Sequence, residues 1–234
     1  MAHSNLNKEE QWMILSVRQD KKERKLYHLF AKSEEAILSV HEDILIRFRL
    51  TKGQLLTEAL IEEIRMEDER YRAYVLAIAY LGAKPRTRNQ IEQYLNRKLF
   101  EADNIQYALD RLEREHIVDD EQYAHHFADS RLRNSLKGRR FIQQELQQRG
   151  VSKEAAAEAT AALDREVEIA SAKKAAERKW RSSKGEPKGG KRMLIGYLMR
   201  RGFPSDIVKE AIKWMDLNGE DDVFEEDDGL LLDN

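Results

Sequence analysis

The segment RRFIQQELQQRGV (Arg139–Val151) has two counterparts in the chain, and together the three decide the fold. The counterparts are RNQIEQYLNRKLF (Arg88–Phe100) and KRMLIGYLMRRGF (Lys191–Phe203). Each has a basic start, an apolar residue four positions before a leucine, then a basic residue, a turn and an apolar residue. The leucines, at positions 95, 146 and 198, are 51 and 52 residues apart. Such a fixed period indicates a tandem repeat of one supersecondary unit.

Each segment lies between two further stretches with helical spacing of apolar residues. YRAYVLAIAYLG, DEQYAHHFADSRLR and EIASAKKAAERKW precede the three segments, and NIQYALDRLERE, KEAAAEATAALDRE and SDIVKEAIKWMD follow them. The sequence therefore predicts a mainly α protein with three tandem three-helix repeats, at residues 66–118, 119–165 and 166–215. Repeats that contact mainly their neighbours are expected to form an elongated, curved array.

The turns of the repeats carry helix-boundary signals. Thr87 with Gln90 is typical of a capping box that opens the middle helix of the first repeat. Gly150 and Gly202 stand where a C′ glycine ends the equivalent helix of the second and third repeats. Leu99 occupies that place in the first repeat, so we expect its turn to differ from the other two.

The N-terminal region has a different pattern. WMILSVRQ and RKLYHLFA alternate as strands do, and DKKE between them can turn, so residues 11–31 are predicted to form a β-hairpin. Residues 36–50 can add a third strand, with Glu42 and Asp43 marking a turn. Thr57 is a candidate N-cap for the helix EALIEEIRMEDE. Residues 1–65 are therefore expected to form a small β-containing extension with a linking helix.

Composition limits the class of protein. The chain has 234 residues, of which 36% are charged, with three prolines and no cysteine. Disulfides and thiolate metal sites are thus excluded, and a reducing cytoplasm is the expected compartment. No apolar run is long enough to cross a membrane, and the start does not resemble a signal peptide.

The charges are unevenly distributed. Residues 216–234 contain nine acidic residues and no lysine or arginine, so a net charge of −2 for the whole chain leaves +7 on residues 1–215. Residues 173–201 contain eleven basic and two acidic residues. A basic body suggests a polyanion or an acidic protein surface as partner. The acidic tail 216–234 and the loop SSKGEPKGG (Ser182–Gly190) are expected to be disordered or flexible.

The stretch IVDDEQYAHHFADSR (Ile117–Arg131) predicts a helix start rather than a metal site. Asp119 is the expected N-cap, and the acids that follow suit the first turn. His125 and His126 are neighbours, about 100° apart around a helix, and are not expected to share an ion. The chain has no phosphate-binding loop, nucleophile elbow or H-E-x-x-H motif. We therefore expect no enzyme, no cofactor and no resident metal.

Basic residues recur at both ends of the middle helices, where they are expected to bind phosphates along one side of the array. A cation in the last turn also complements the helix dipole, but a cation near a helix start does not. The aromatic residues at helical spacing are expected to lie in the core rather than to stack on bases. The candidate binding residues are Arg86, Arg88, Arg97, Lys98, Lys137, Arg139, Arg140, Arg149, Lys191, Arg192, Arg200 and Arg201.

Four motifs resemble, in order and spacing, those of the RecX family of RecA regulators. They are AKPRTRNQIEQYL, ALDRLEREHIVDDEQYAHHFADSR, KGRRFIQQELQQRGV and MLIGYLMRRGFPSDIVKEAI, and the resemblance covers about residues 71–214. It implies the triple three-helix fold, with the D-D-x-x-[YF]-A pattern as the hallmark of the second repeat. The N-terminal extension resembles that of the longer Gram-positive members.

The resemblance also implies a function. Members of the family bind RecA, above all its filament on single-stranded DNA, and lie along the filament groove. They suppress ATP hydrolysis, strand exchange and the coprotease activity that induces the SOS response, and many bind DNA. The expected partners are therefore RecA and single-stranded DNA, with double-stranded DNA as a further candidate, and the expected state is a monomer. The acidic tail departs from the family pattern, and we expect its removal to raise DNA affinity at low salt.

Two other functions fit the same residues. The stretch RNQIEQYLNRKLFEADNIQYALDRLEREHIVDD (Arg88–Asp120) resembles a helix-turn-helix core, which would suit a sequence-specific transcription regulator. A winged version needs a hairpin immediately afterwards, and here another helix is predicted. A plain helical scaffold, binding neither DNA nor RecA, is the third reading.

Overall fold

The structure, a computed structural model, describes residues 11–183 and 190–218. Most of the loop expected to be flexible, and residues 219–234 of the expected tail, lie outside these ranges. The described residues form five strands and ten helices. They are β1 (Gln11–Met13), β2 (Ser16–Gln19), β3 (Leu26–Phe30), β4 (Ala36–His41), α1 (Glu42–Arg47), β5 (Leu55–Thr57), α2 (Glu58–Leu81), α3 (Arg88–Arg97), α4 (Ala102–Arg114), α5 (Asp120–Ser135), α6 (Arg139–Gln148), α7 (Lys153–Ala161), α8 (Arg165–Ser182), α9 (Gly190–Arg200) and α10 (Ser205–Asn218).

Two small antiparallel sheets form the N-terminal extension. The predicted hairpin is β2 with β3, and β4 adds the predicted third strand. The hairpin turn is fixed by Asp20, whose carboxylate accepts the backbone N–H groups of Lys22 and Glu23 at 2.7 and 2.8 Å. The prediction is wrong at two points. The acids after β4 begin helix α1 rather than a turn, and β5, which pairs with β1, was not predicted.

Helix α2 belongs to two hydrophobic cores. Thr57 caps it as predicted, accepting the N–H of Leu60 at 3.3 Å. In the first half of the helix, Ile61 and Ile64 pack with the strands of the extension. In the second half, Ala73 and Ala77 pack with α3 and α4. One unbroken helix therefore runs through the domain boundary that we expected near residue 65.

The three predicted three-helix repeats are present. The first is the C-terminal part of α2 with α3 and α4, the second is α5 to α7, and the third is α8 to α10. The predicted cap of α5 is confirmed, because Asp119 accepts the N–H of Gln122 at 2.8 Å. The capping box of α3 is also present, since Thr87 and Gln90 exchange backbone-to-side-chain hydrogen bonds of 3.4 and 3.2 Å. The second and third repeats share one core.

The middle helix ends in the same turn in all three repeats. Leu99, Gly150 and Gly202 have φ values of 63°, 87° and 85°. The backbone N–H of the residue after each of these donates to the carbonyl of the leucine that recurs in the repeats, Leu95, Leu146 or Leu198, at 3.4, 3.1 and 3.3 Å. This is the Schellman arrangement, which satisfies the last carbonyls of the helix. Our expectation that the Leu99 turn differs is therefore wrong, because a leucine here accepts the left-handed conformation.

The chain divides into two compact units. The first contains residues up to 86 and residues 91–118, and the second contains residues 87–90 and those from 119 onward. The first unit holds the N-terminal extension and most of the first repeat. The second holds the other two repeats, together with the opening turn of α3.

Candidate nucleic-acid interface

One basic residue recurs at the end of each middle helix. Lys98, Arg149 and Arg201, here called the turn cations, each stand three residues after the conserved leucine and one before the left-handed residue. Each lies over an aromatic ring: Lys98 Nζ is 5.8 Å from the Tyr94 centroid, Arg149 Cζ is 4.6 Å from Phe127, and Arg201 Cζ is 5.2 Å from Tyr197. A ring face attracts a cation over this distance. The repeat therefore presents three ring-supported cations at equivalent positions.

In the second unit, the ring of Phe127 has two cations over it. Arg149 is one, and the Arg131 guanidinium carbon is 4.9 Å from the same centroid. Tyr123 stacks on Phe127 with centroids 5.8 Å apart, and its hydroxyl accepts a 3.3 Å hydrogen bond from Arg149. Arg131 also pairs with Glu145, with Nε and Oε2 3.0 Å apart. Glu145 thus offsets one charge of an otherwise basic surface.

Lys137 belongs to the same surface. Its Nζ is 3.6 Å from the Phe141 ring centroid. Burial lowers the pKa of Lys137, and the positive charges of Arg201 and Arg131 lower it further, whereas Glu145 opposes this. Like charges close enough to affect each other's titration are costly without an anion. Lys137 therefore lies near the positive charges of Arg201 and Arg131, of which Arg131 is paired with Glu145.

The first unit has a smaller version of this arrangement. Tyr80 and Tyr94 stack with centroids 4.0 Å apart and planes 7° from parallel. Arg86 Cζ is 4.3 Å from the Tyr80 centroid, and Lys98 lies over Tyr94. Arg97, in the last turn of α3, is exposed. Here too, aromatic rings that pack on a repeat core carry cations on their outer face.

The helix-start cations have a different environment. Arg88, Arg139 and Lys191 occupy equivalent positions at the start of the middle helices. Each of these residues contacts an acidic side chain from later in the chain. The N–H of Arg88 donates to Asp120 at 2.8 Å. Arg139 binds fully buried Glu168 through its N–H at 3.0 Å and its Nη2 at 2.6 Å. Lys191 Nζ is 3.3 Å from Asp216.

A cation near a helix start is disfavoured by the helix dipole, and on that ground we had favoured phosphate binding for these residues. The neighbouring carboxylates offer another explanation for their positive charge. For Arg139 the partner is buried, so the guanidinium is held in a structural ion pair. We therefore assign Arg139 to the joint between the second and third repeats, whereas Lys191 pairs within the third repeat.

The remaining candidates are exposed. Within the described residues none of them forms an ion pair, so their charges are available to a ligand. They are Arg97, Arg140, Arg192 and Arg200.

The ring-supported cations could have been recognised from the sequence by their spacing. Three of the pairs are at i and i+4, the spacing at which helix side chains meet: Tyr94 and Lys98, Phe127 and Arg131, and Tyr197 and Arg201. Lys137 and Phe141 have the same spacing, but Lys137 precedes the first residue of α6. We expected these aromatic residues to lie in the core rather than to stack on bases. In the structure each ring is half-buried, with a cation over it. Arg131 belongs to this surface but was absent from our candidate set.

Other kinds of site have little support in the described parts of the chain. No group of three or more His, Asp or Glu side chains is placed to hold a metal within residues 11–183 and 190–218. His125 and His126 are exposed on α5. In the same ranges, no helix combines the length and apolar character needed to cross a membrane.

Known protein families match all three repeats. Models of the first, second and third three-helix domains of RecX match residues 73–112, 119–159 and 166–212. Regulatory protein RecX of Oceanobacillus iheyensis is 31% identical over 218 residues, covering 89% of this chain and 79% of the relative. That of Listeria monocytogenes serotype 4a is 31% identical over 216 residues, covering 90% and 79%.

A crystal structure of regulatory protein RecX is also similar, with a TM-score of 0.71 and 26% identity over 85% of this chain and 97% of that one. A crystal structure of RecX from Lactobacillus salivarius, with a TM-score of 0.59 and 24% identity, supports the fold alone. The order of the three matched domains, the share of the chain that is covered and the identity to the relatives all indicate the same family. The chain belongs to the RecX family of regulatory proteins.

Proposed function

We propose that this protein binds a RecA-type recombinase on single-stranded DNA and restrains its ATPase, strand-exchange and coprotease activities. It would thereby regulate DNA repair and the SOS response in the cytoplasm, as a monomer and without catalysis of its own. The relatives support a regulatory role, because they are named regulatory proteins. The basic surfaces of the two units support a polyanionic partner.

The observation that carries the proposal is the recurrence of the turn cations. Equivalent charges on equivalent structural units suit a repeating polymer as partner, and a phosphate backbone is such a polymer. Ring support holds each cation without neutralising it, whereas a carboxylate partner would cancel its charge. Lys98, Arg149 and Arg201 fit this requirement, with Arg86 and Lys137 beside them.

A role as a sequence-specific transcription regulator is less well supported. Helix α4 is followed by a short link and then by α5, which begins at Asp120, so no hairpin stands where a wing would be. Footprinting on genomic DNA tests this alternative, because our proposal expects no preferred site.

The primary test is DNA-dependent ATP hydrolysis by the cognate RecA preloaded on single-stranded DNA. We expect the rate to fall when this protein is added well below equimolar amounts, because one bound regulator affects many filament subunits. An unchanged rate, with tight DNA binding in the same buffer, would contradict the RecA proposal and favour the DNA-binding alternative.

A matched pair of variants tests whether the exposed candidate residues contact DNA. Glutamine at the four exposed candidates, Arg97, Arg140, Arg192 and Arg200, removes four positive charges. For single strands, each lost phosphate contact is expected to reduce the slope of log affinity against log salt by about 0.7, or about 3 for all four. The control variant removes four charges from exposed lysines elsewhere, at Lys21, Lys22, Lys153 and Lys209. An equal loss of slope in both variants would mean that net charge, not this surface, governs binding.

A further inference from the structure

Leu99 is the most exposed large apolar side chain of the described residues. It is 89% exposed, and Ile46 follows at 66%. A single exposed apolar residue is ordinary on a protein surface, but Leu99 also has a φ of 63°. This left-handed conformation is disfavoured for every residue type that carries a side chain, and glycine adopts it readily. Neither burial nor backbone preference therefore accounts for a leucine at this position.

The equivalent positions in the other repeats show what is unusual about Leu99. Gly150 and Gly202 adopt the same left-handed turn. The hydrophobic contact that usually accompanies such a turn comes from the residue after it. In the first repeat that residue is Phe100, which packs on the repeat core. A glycine at position 99 would therefore form the turn at least as well, and a strained residue without a stabilising contact points to a role in binding.

The surroundings of Leu99 are basic. Residues 93–100 contain Arg97 and Lys98 and no acid, and both cations are exposed. Lys98 Nζ lies 5.8 Å from the centroid of the Tyr94 ring, which supports the cation without neutralising it. An apolar tip beside two cations matches the chemistry of a nucleotide, in which an apolar base face is attached to a charged phosphate backbone.

The turn holds Leu99 in place before a ligand binds. The N–H of Leu99 donates to the Asn96 carbonyl at 3.0 Å, and the N–H of Phe100 donates to the Leu95 carbonyl at 3.4 Å. Because these bonds fix the backbone, binding through Leu99 has to order only the leucine side chain. A contact made by a preorganised group loses little of its energy to conformational entropy.

From these observations we propose that Leu99 inserts between adjacent bases of bound single-stranded DNA, while Arg97 and Lys98 contact the flanking phosphates. This inference rests on the proposed function, because it requires DNA binding, and it adds a residue that contacts bases. Several classes of DNA-binding protein insert an apolar side chain, leucine among them, as a wedge that unstacks two bases. Unstacking costs least when the base is already single-stranded.

Replacement of Leu99 by asparagine tests the proposal in the full chain. Asparagine tolerates the left-handed conformation but is polar. The probe is a single-stranded oligonucleotide of adenines with 2-aminopurine at several positions, whose fluorescence rises when the base is unstacked. At saturation we expect less than half of the native rise from Leu99→Asn. Its affinity should fall about three- to tenfold, because part of a leucine side chain is no longer buried. Leu99→Met keeps an apolar side chain and should retain the native rise.

Two further variants separate the wedge from charge and from general apolar exposure. Ile46→Asn removes another exposed apolar side chain, on α1, and should leave both readouts unchanged. Arg97→Gln should reduce the slope of log affinity against log salt by about 0.7. Leu99→Asn should leave this slope unchanged, because it removes no charge. Equal losses in Leu99→Asn and Ile46→Asn, or a reduced slope in Leu99→Asn, would overturn the proposal.

The native protein with the same oligonucleotide separates this inference from the proposed function. If the native protein does not bind it, DNA binding is wrong and the wedge is wrong with it. If the native protein binds it and Leu99→Asn gives the same affinity and the same rise, only the wedge is refuted. If that variant also no longer lowers ATP hydrolysis by RecA, Leu99 contacts the recombinase instead of a base.

Discussion

The same turn ends the middle helix of each repeat, but we expect substitutions at two of its three positions to change stability in opposite directions. Leu99→Gly in the first repeat should stabilise the turn, and Gly202→Ala in the third should disrupt it. All three residues at this position have positive φ, between 63° and 87°, where a side chain costs about 1 kcal/mol. The difference lies in what surrounds the turn.

For Leu99 the side chain is 89% exposed, so its removal loses almost no burial. Relief of backbone strain is worth about 1 kcal/mol, and the added freedom of glycine in the unfolded chain offsets about 0.4–1 kcal/mol of it. We therefore expect a gain in the free energy of unfolding of between about 0 and 0.6 kcal/mol.

For Gly202 an added Cβ would lie 2.3 Å from the backbone nitrogen of Phe141. Backbone cannot move aside as a flexible side chain can, so overpacking of about 1–3 kcal/mol adds to the strain. After the unfolded-state effect is subtracted, we expect a loss of between about 1 and 3.6 kcal/mol, with a central value of about 2 kcal/mol. Gly150→Ala should behave similarly, because its Cβ would lie 2.2 Å from the Cβ of Asn89.

Hydrogen exchange of the amides in α3 and α9 measures both effects where they occur, without assuming that the two units unfold together. A loss of 2 kcal/mol speeds exchange through unfolding of α9 about thirtyfold. Leu99→Gly should slow exchange in α3 by up to about threefold or leave it unchanged. If Leu99→Gly accelerated exchange as strongly as Gly202→Ala, the leucine would be making a stabilising contact, and the reasoning from exposure and strain would be refuted.

Two further predictions concern buried and exposed carboxylates. Hydrogen bonds from two backbone N–H groups of its turn and from His28 hold the pKa of Asp20 at about 2, below its usual 3.8. Because the folded pKa is lowered, this carboxylate stabilises the hairpin above pH 3.8, and the contribution is lost as pH falls towards 2. Exchange of the β2–β3 amides should therefore accelerate over this range, and more weakly in Asp20→Asn; an equal pH response in both proteins would contradict the assignment. Glu168→Gln should cost about 2 kcal/mol, because it weakens the charged hydrogen bonds that hold Arg139, whereas exposed Glu166→Gln on the same helix should change stability by less than about 0.5 kcal/mol. Urea unfolding of the second unit measures both, and similar losses would mean that the buried pair contributes little.

Local signals in the sequence were sufficient for most of the fold. The 51-residue and 52-residue spacings of the leucines, together with the helical period around them, specify the three repeats. Caps at Thr57, Thr87 and Asp119 depend on side chains reaching N–H groups two or three residues away, so they can be read without tertiary information. Strand β5 was missed because three residues carry too little periodicity, and only its pairing with β1 makes it a strand.

The candidate interface was predicted less completely. The sequence identified the basic residues, since charge needs no partner to be recognised. It did not distinguish Lys98, which lies over a ring, from Arg139, which binds a buried carboxylate. That distinction depends on Glu168, 29 residues further along the chain, and no local pattern indicates that the two will meet.

The sequence by itself determined the repeat, the helix caps at Thr57, Thr87 and Asp119, and the positions of the cations, because these follow from periodicity and from hydrogen bonds within a few residues. Tertiary structure alone decided what each repeated position does. Positions 99, 150 and 202 share one backbone turn, yet the first holds an exposed leucine and the other two require glycine. The reason is that another helix start packs against Gly150 and Gly202, at Asn89 and Phe141, whereas the Leu99 side chain remains in solvent.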